Sequence, residues 1–176
     1  SKGTTLDDIL TAAGITKGAF YHYFKSKETL CTEVIEEVIV EYHELFESID
    51  RNSEPIQQLS ELISKLSQLN TSGQWINCRV ILRVSAEIIH EHRPHLRQKI
   101  KNFWRWESAV YKDIITECQK AGQISSDIDA GSLSQILINM ITGSLWLEKI
   151  NPEQQDFSEL IESLIKTLEP GGQKAI

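Results

Sequence analysis

Apolar residues return every third or fourth position almost throughout this 176-residue chain, and nowhere does a period-two alternation run long enough to make a strand. The spacing predicts an all-helical protein. Its clearest stretch starts at Ser26, where Leu30, Val34, Ile35, Val38, Ile39, Tyr42, Leu45, Phe46 and Ile49 form one stripe and Glu33, Glu36, Glu37, Glu41, Glu44 and Glu47 stand mostly opposite. A helix over 26–49 is a rod of about 36 Å. Asn52 and Ser53 end it, and after Pro55 a second stripe follows: Ile56, Leu59, Leu62, Ile63, Leu66 and Leu69.

A third body helix is expected over roughly Gln74–Glu91. A fourth starts at Pro94, a residue suited to a first helical turn, and stops at Gly122. The segment from about Asp129 to Lys149 is apolar around most of its circumference, so it needs partners on two sides. The last helix opens with Asp156 and Glu159 in capping-box spacing and ends at Pro170–Gly172. The 18-residue uncharged run Ala130–Leu147 contains Ser132, Ser134, Gln135, Asn139, Thr142 and Ser144, too polar for a bilayer span. With no signal-peptide pattern and three scattered cysteines, Cys31, Cys78 and Cys118, a cytoplasmic protein without membrane partner, disulfide framework or zinc site is expected.

Charge divides the chain unevenly. Residues 1–27 hold four lysines (Lys2, Lys17, Lys25, Lys27) against Asp7 and Asp8, net +2; since the whole chain is −7, the remainder carries −9. A small cationic head on an acidic body is what a short nucleic-acid-binding segment on a regulatory domain would show. Within that head, Thr5-Leu6-Asp7-Asp8 is a capping-box pattern, Ile9, Leu10 and Ala13 give an apolar face, and Gly14 stops the helix. Ile15 is expected to point into the core at the turn. Thr16 can cap a second short helix that buries Phe20 and Phe24. Two short helices with a glycine turn between them are a helix-turn-helix.

Residues 4–34, with their Ala-Gly-Ile-Thr turn, Lys-Gly-Ala-Phe-Tyr helix start and Tyr-Phe-Lys-Ser-Lys-Glu-Thr-Leu entry into the long helix, resemble the DNA-binding signature of the TetR/AcrR family of one-component regulators. Family members carry a further helix ahead of this segment, whereas the sequence here starts at Ser1 just before the second; Leu10 stands where the family prefers alanine. The resemblance implies an all-α, TetR-like fold: a helix-turn-helix head over 1–28, incomplete at its N-terminus by the family's standard, a connecting helix over 29–49, an effector-binding and dimerisation domain over 50–170, and a tail over 171–176. It also implies a homodimer on a double-stranded operator, released by a small apolar or amphipathic effector. An activator or ligand sensor that does not repress is the alternative within the family.

A recognition helix presents donors to base edges from its first turn and flanks them with phosphate clamps. Thr16, Lys17, Gly18 and Ala19 form that turn: Lys17 can reach guanine O6 or N7, Ala19 a thymine methyl, and Gly18 admits close backbone approach. Tyr21 and His22 face outward if Phe20 faces in, and the family's matching tyrosine contacts the phosphate backbone. Thr5 and Lys27 are the expected clamps.

In the body, Trp75, Arg79, Arg83, Phe103, Trp104, Trp106, Glu107 and Tyr111 combine aromatic walls with a few polar groups, as an effector pocket requires; plain core is the competing reading. Arg93, Arg97, Lys99, Lys101 and Arg105 form a basic run: a solvated face, a counterweight to the acidic rod, or a lure for an anionic effector. Leu133, Leu137, Ile141, Trp146, Phe157, Leu160, Ile161, Leu164, Ile165 and Leu168 are expected to build half of a four-helix dimer interface. Glu87-Ile-Ile-His90 has the Glu-x-x-His spacing of helical di-iron bundles, a remote metalloenzyme reading that lacks its second motif. No set of nucleophile, base and orienter is visible, so catalysis, metal and cofactor are all expected to be absent.

Overall fold

The computed structural model describes residues 5–71, 81, 84–85, 93–147, 151 and 157–168, and within them every regular element is a helix. Seven are bounded: α1 Leu6–Ala13, α2 Lys17–Tyr23, α3 Lys27–Glu47, α4 Pro55–Thr71, α5 Pro94–Lys120, α6 Ala130–Leu147 and α7 Phe157–Leu168. Of the third expected body helix, residues 81 and 84–85 are described, and they are helical. The rest of it lies outside the described residues, as do Asp156 and the tail.

Local chemistry explains the boundaries. Thr5 Oγ1 accepts from Asp8 N at 3.2 Å while Asp8 Oδ2 accepts from Thr5 N at 2.8 Å, the reciprocal capping box that starts α1. The Thr5 hydroxyl, donating to Asp8 Oδ2 at 2.6 Å, and then the Thr5 N–H hold the Asp8 carboxyl below its usual range. At the other end Gly14 takes φ +65°, and Ile15 N donates back to Leu10 O at 3.1 Å. That left-handed closure favours a residue without Cβ. Asp129 Oδ1 accepts from Ser132 N at 2.7 Å in the first turn of α6.

The body is organised around α5. It packs on α4 and α6, α7 lies against α4 and α6, and α3 packs on α4. Leu96, Ile100, Phe103, Tyr111, Ile114, Ile115 and Cys118 of α5 are all buried, in one core with Ile35, Val38, Tyr42 and Phe46 of α3 and Leu59, Leu62, Ile63 and Leu66 of α4. The interhelix loops are tied down by amides: Gln119 Nε2 donates to Ser125 O and Ile128 O, and Gln123 Oε1 accepts from Ile56 N.

The two buried residues among those described in the head, Leu10 and Phe20, stand outside this cluster. Ile15, expected to point inward, is 42% exposed. It sits at the apex of the turn, directly past the left-handed glycine, and two short helices bury little more than one residue each. Ala13 is likewise exposed, and Phe24 is half-buried.

One carboxyl lies within the α5 core. Glu107 is 4% exposed, and its Oε2 has no hydrogen-bond partner among the described residues. Burial pushes its pKa from 4.5 to about 8. The native state therefore holds a proton that the unfolded chain releases, so stability falls as pH rises from 4.5 towards 8. Glu107→Gln removes that dependence. Thermal unfolding monitored by circular dichroism is expected to give the variant a Tm roughly 5 °C above the parent at pH 8, with the gap closing near pH 4.5.

Candidate nucleic-acid interface and body cleft

The turn and first residues of α2 form one exposed surface. Thr16 caps the helix, its Oγ1 accepting from Ala19 N at 3.2 Å, and Thr16, Lys17, Gly18 and Ala19 are all exposed. A Cβ built on Gly18 would meet nothing nearer than Thr16 Oγ1 at 3.9 Å, ordinary contact distance. The protein itself would tolerate a side chain there. The missing Cβ matters only to something that docks from outside.

Phe20 anchors this surface from beneath at 1% exposure, with the Tyr21 ring edge-on to it at 5.2 Å and the Phe24 ring at 5.4 Å. With Phe20 turned in, helical spacing turns its neighbours out: Tyr21 is 55% exposed, His22 is exposed, and Tyr23 is 76% exposed with its ring against that of His22. Thr5 is exposed at the start of α1, its hydroxyl engaged by Asp8. Lys27 opens α3, half-buried, directly after the Ser26 cap. The structure thus places all eight expected DNA-contacting residues at helix starts or on the outer side of α2.

One participant was not foreseen. Asp7 Oδ1 lies 2.9 Å from Lys17 Nζ, and this pairing raises the lysine's pKa. Both side chains are largely solvated, so the pair is worth little as a fastener. Its significance is positional, because the lysine expected to read a base is held by a carboxylate on the neighbouring helix. Sequence separation concealed it.

The expected effector residues divide. Trp75, Arg79 and Arg83 lie outside the described residues. Glu107 and Tyr111 are buried in the core rather than lining a cavity, because they fall on the side of α5 covered by its neighbours. Phe103 and Trp106 line a cleft of about 400 Å³ between α3 and α5, where the His43 ring stacks on Trp106 at 3.8 Å and Lys99 pairs with Glu36. Trp104 lines a different and larger cleft of about 620 Å³, with Arg97, Ile100, Lys101, Arg105 and Ser108 of α5 and with Ser85 and Gln135 opposite. The basic run expected on α5 supplies three cations to that cleft.

The residues expected at the dimer interface also separate. Leu133, Leu137, Ile141, Ile161 and Ile165 are buried within one protomer, where α6 and α7 pack on each other and on α5 and α4. They are core. Leu160, Leu164 and Leu168 are half-buried, while Ile136 (47%) and Leu147 (52%) are exposed apolar residues that the dimer expectation passed over. The side chains of Trp146 and Phe157 lie outside the described residues. So do Glu87 and His90. No helix among the described residues is long and apolar enough to cross a membrane.

A capped two-helix head with an open recognition turn, set before a long helix and a helical body, defines a helix-turn-helix transcriptional regulator. The profile of the bacterial regulatory proteins of the tetR family matches residues 2–34. The transcriptional repressor DhaR of Mycobacterium sp. (strain GP1) is 25% identical over 172 residues, 96% of this chain and 83% of that protein. A fatty acid metabolism regulator protein of Bacillus subtilis (strain 168) is 24% identical over 164 residues, 93% of this chain and 82% of that protein. Among solved structures, a TetR-family regulator from Agrobacterium tumefaciens superposes with a TM-score of 0.82 at 16% identity, over 96% of this chain and 88% of that one. The MbdR regulator from Azoarcus sp. CIB gives 0.76 at 21% identity, over 97% and 88%. The chain is a DNA-binding transcriptional regulator, its residues 2–34 matching the tetR family and its full length similar to regulators of that kind.

The Lys17–Asp7 pair can be tested directly. Asp7→Asn removes a negative charge beside the expected DNA contacts and frees the lysine, so fluorescence anisotropy is expected to show DNA affinity rising about threefold at low salt, a gain that shrinks as salt is raised.

Proposed function

We propose that the protein is a homodimeric repressor that leaves its operator when a small molecule occupies the body. The observation that carries this reading is the exposed recognition turn Thr16–Ala19 on a head whose only buried residues, among those described, are Leu10 and Phe20. Relatives named as repressors, DhaR and BepR of Brucella suis, support the sign of regulation. Residues 1–28 act as the DNA-binding head, 29–49 as the connector and 50–170 as the sensing and dimerising body, with DNA and effector meeting the protein in the cytoplasm.

In this mechanism Lys17 donates to a guanine edge, Ala19 touches a thymine methyl, and Gly18 lets the backbone approach. Thr5, Thr16, Tyr21, His22 and Lys27 hold phosphates and fix the register. Two copies join through the outer faces of α6 and α7, with Ile136, Leu147 and Leu164 in the seam, and set their recognition helices about 34–36 Å apart. The body reaches the head through α3. Its contacts with α5 include the His43–Trp106 stack, the Lys99–Glu36 ion pair, the Tyr42 ring edge-on to Phe103 at 5.0 Å and the Phe46 ring against Trp106 and Tyr111. A ligand that displaces α5 therefore tilts α3 and respaces the heads. A release of about 100-fold requires the ligand to favour the non-binding form by about 2.7 kcal/mol.

Binding to DNA upstream of the chain's own gene, against random fragments, is the primary test, and equal affinity for both would overturn the reading. Lys17→Ala is expected to lower affinity about tenfold and relax preference at one base position, whereas Lys27→Ala lowers affinity on every sequence alike. For the seam, Leu164→Glu and the fully surface change Ile136→Glu are expected to yield monomers by sedimentation, with operator affinity reduced at least about tenfold.

A further inference from the structure

The larger body cleft has a chemistry that narrows what can occupy it. Two stripes of α5 run side by side along it. Arg97, Lys101 and Arg105 follow one another at successive four-residue steps, and Ile100, Trp104 and Ser108 do the same on the adjoining stripe. Four-residue spacing stacks each set along one line of the helix, so the cavity has a cationic edge beside a largely apolar floor. No acidic residue is among its described lining residues, although the chain as a whole carries −7. Ile100 is buried at 6% and Trp104 is half-buried, so the floor is set into the fold, while Lys101 and Arg105 are exposed at the edge. The Ser85 hydroxyl on the opposite wall is buried without a hydrogen-bond partner among the described residues.

From this arrangement we infer that the cleft binds an amphiphile with a single anionic head and an alkyl body, the head against Arg97, Lys101 and Arg105 and the alkyl chain along Ile100 and Trp104. The inference rests on the effector reading above and assigns the ligand class. Guanidinium groups match carboxylate and phosphate alike, and both are charge-assisted acceptors for lysine. A neutral compound of the same length gains the floor but not the edge. A cationic one meets three like charges. The volume, about 620 Å³, suits a molecule of that kind.

Four probes of equal chain length separate the possibilities: decanoate, decyl phosphate, 1-decanol and decyltrimethylammonium, each titrated calorimetrically into the full chain below its micelle-forming concentration. Decanoate or decyl phosphate is expected to bind about tenfold more tightly than the alcohol. The stronger of the two identifies the head group. The cation is expected not to bind. In the double variant Lys101→Gln/Arg105→Gln, built on exposed side chains, the anion's advantage over decanol disappears while decanol itself is unaffected.

A salt series on the unaltered protein gives an independent readout: the anion weakens as NaCl rises and decanol does not. Equal affinity for decanol and the anions, or an unchanged anion affinity in the double variant, overturns the assignment. Anion binding that leaves operator affinity untouched supports the cleft's chemistry and overturns the effector reading instead. Release from the operator by a neutral compound, with no anion binding, overturns the ligand class and leaves the effector reading standing.

Discussion

Burial along one side of α5 is the constraint on which the body depends. From Leu96 to Cys118 its inward residues are covered by α4 and α6 and share a core with α3, so the helix can neither rotate nor slide without exposing apolar area to water. Everything functional in the body is defined relative to that fixed side. Of the residues left over on α5, some line the cleft with the rod α3 and others the larger cleft opposite Ser85 and Gln135. A helix locked on one side and contoured on two others serves as structural beam and as wall of two cavities at once.

The head depends on far less. Leu10 and Phe20 are its fully buried residues, and its shape comes from hydrogen-bonded termini: Thr5 with Asp8, the left-handed Gly14, Thr16 with Ala19, Ser26 with Thr29. Caps of this kind each contribute about 1 kcal/mol and fix direction more than they add stability. Such a head is held in shape by its turns. It leaves Lys17, Gly18, Ala19 and Tyr21 uncovered, because almost no interior is available to claim them.

Most of the architecture was legible in the sequence because caps and periodicity are local. Thr5, Gly14, Thr16, Ser26 and Gly122 mark helix ends by residue type alone, and the stripes of α3 and α4 follow from spacing. Partner choice is not local, and the misreadings fall there. A stripe reports that a side is buried, not against what: Leu133, Leu137 and Ile141 were expected in a seam with a second copy, and they are buried within one protomer, where α6 packs on α5. For Glu107 the sequence left pocket lining and plain core as competing readings, and it is buried and pushed towards its neutral form. For Arg97, Lys101 and Arg105 the sequence left a solvated face, a counterweight to the rod and an anion lure all open, and only the fold shows that they line one cleft with Ser85 and Gln135. Asp7 and Lys17, ten positions apart on different helices, meet only once the turn at Gly14 is made.

The double duty of α5 also shapes how such a protein can evolve. Trp104 and Trp106 lie two positions apart, one flooring the cation-edged cleft and the other stacked on His43 of the rod. On the effector reading proposed above, a substitution that refits the cleft to a new metabolite also retunes the contact between α5 and the rod. Selectivity and mechanical gain are therefore inherited together, and descendants that change their chemical taste must re-earn their obedience to it.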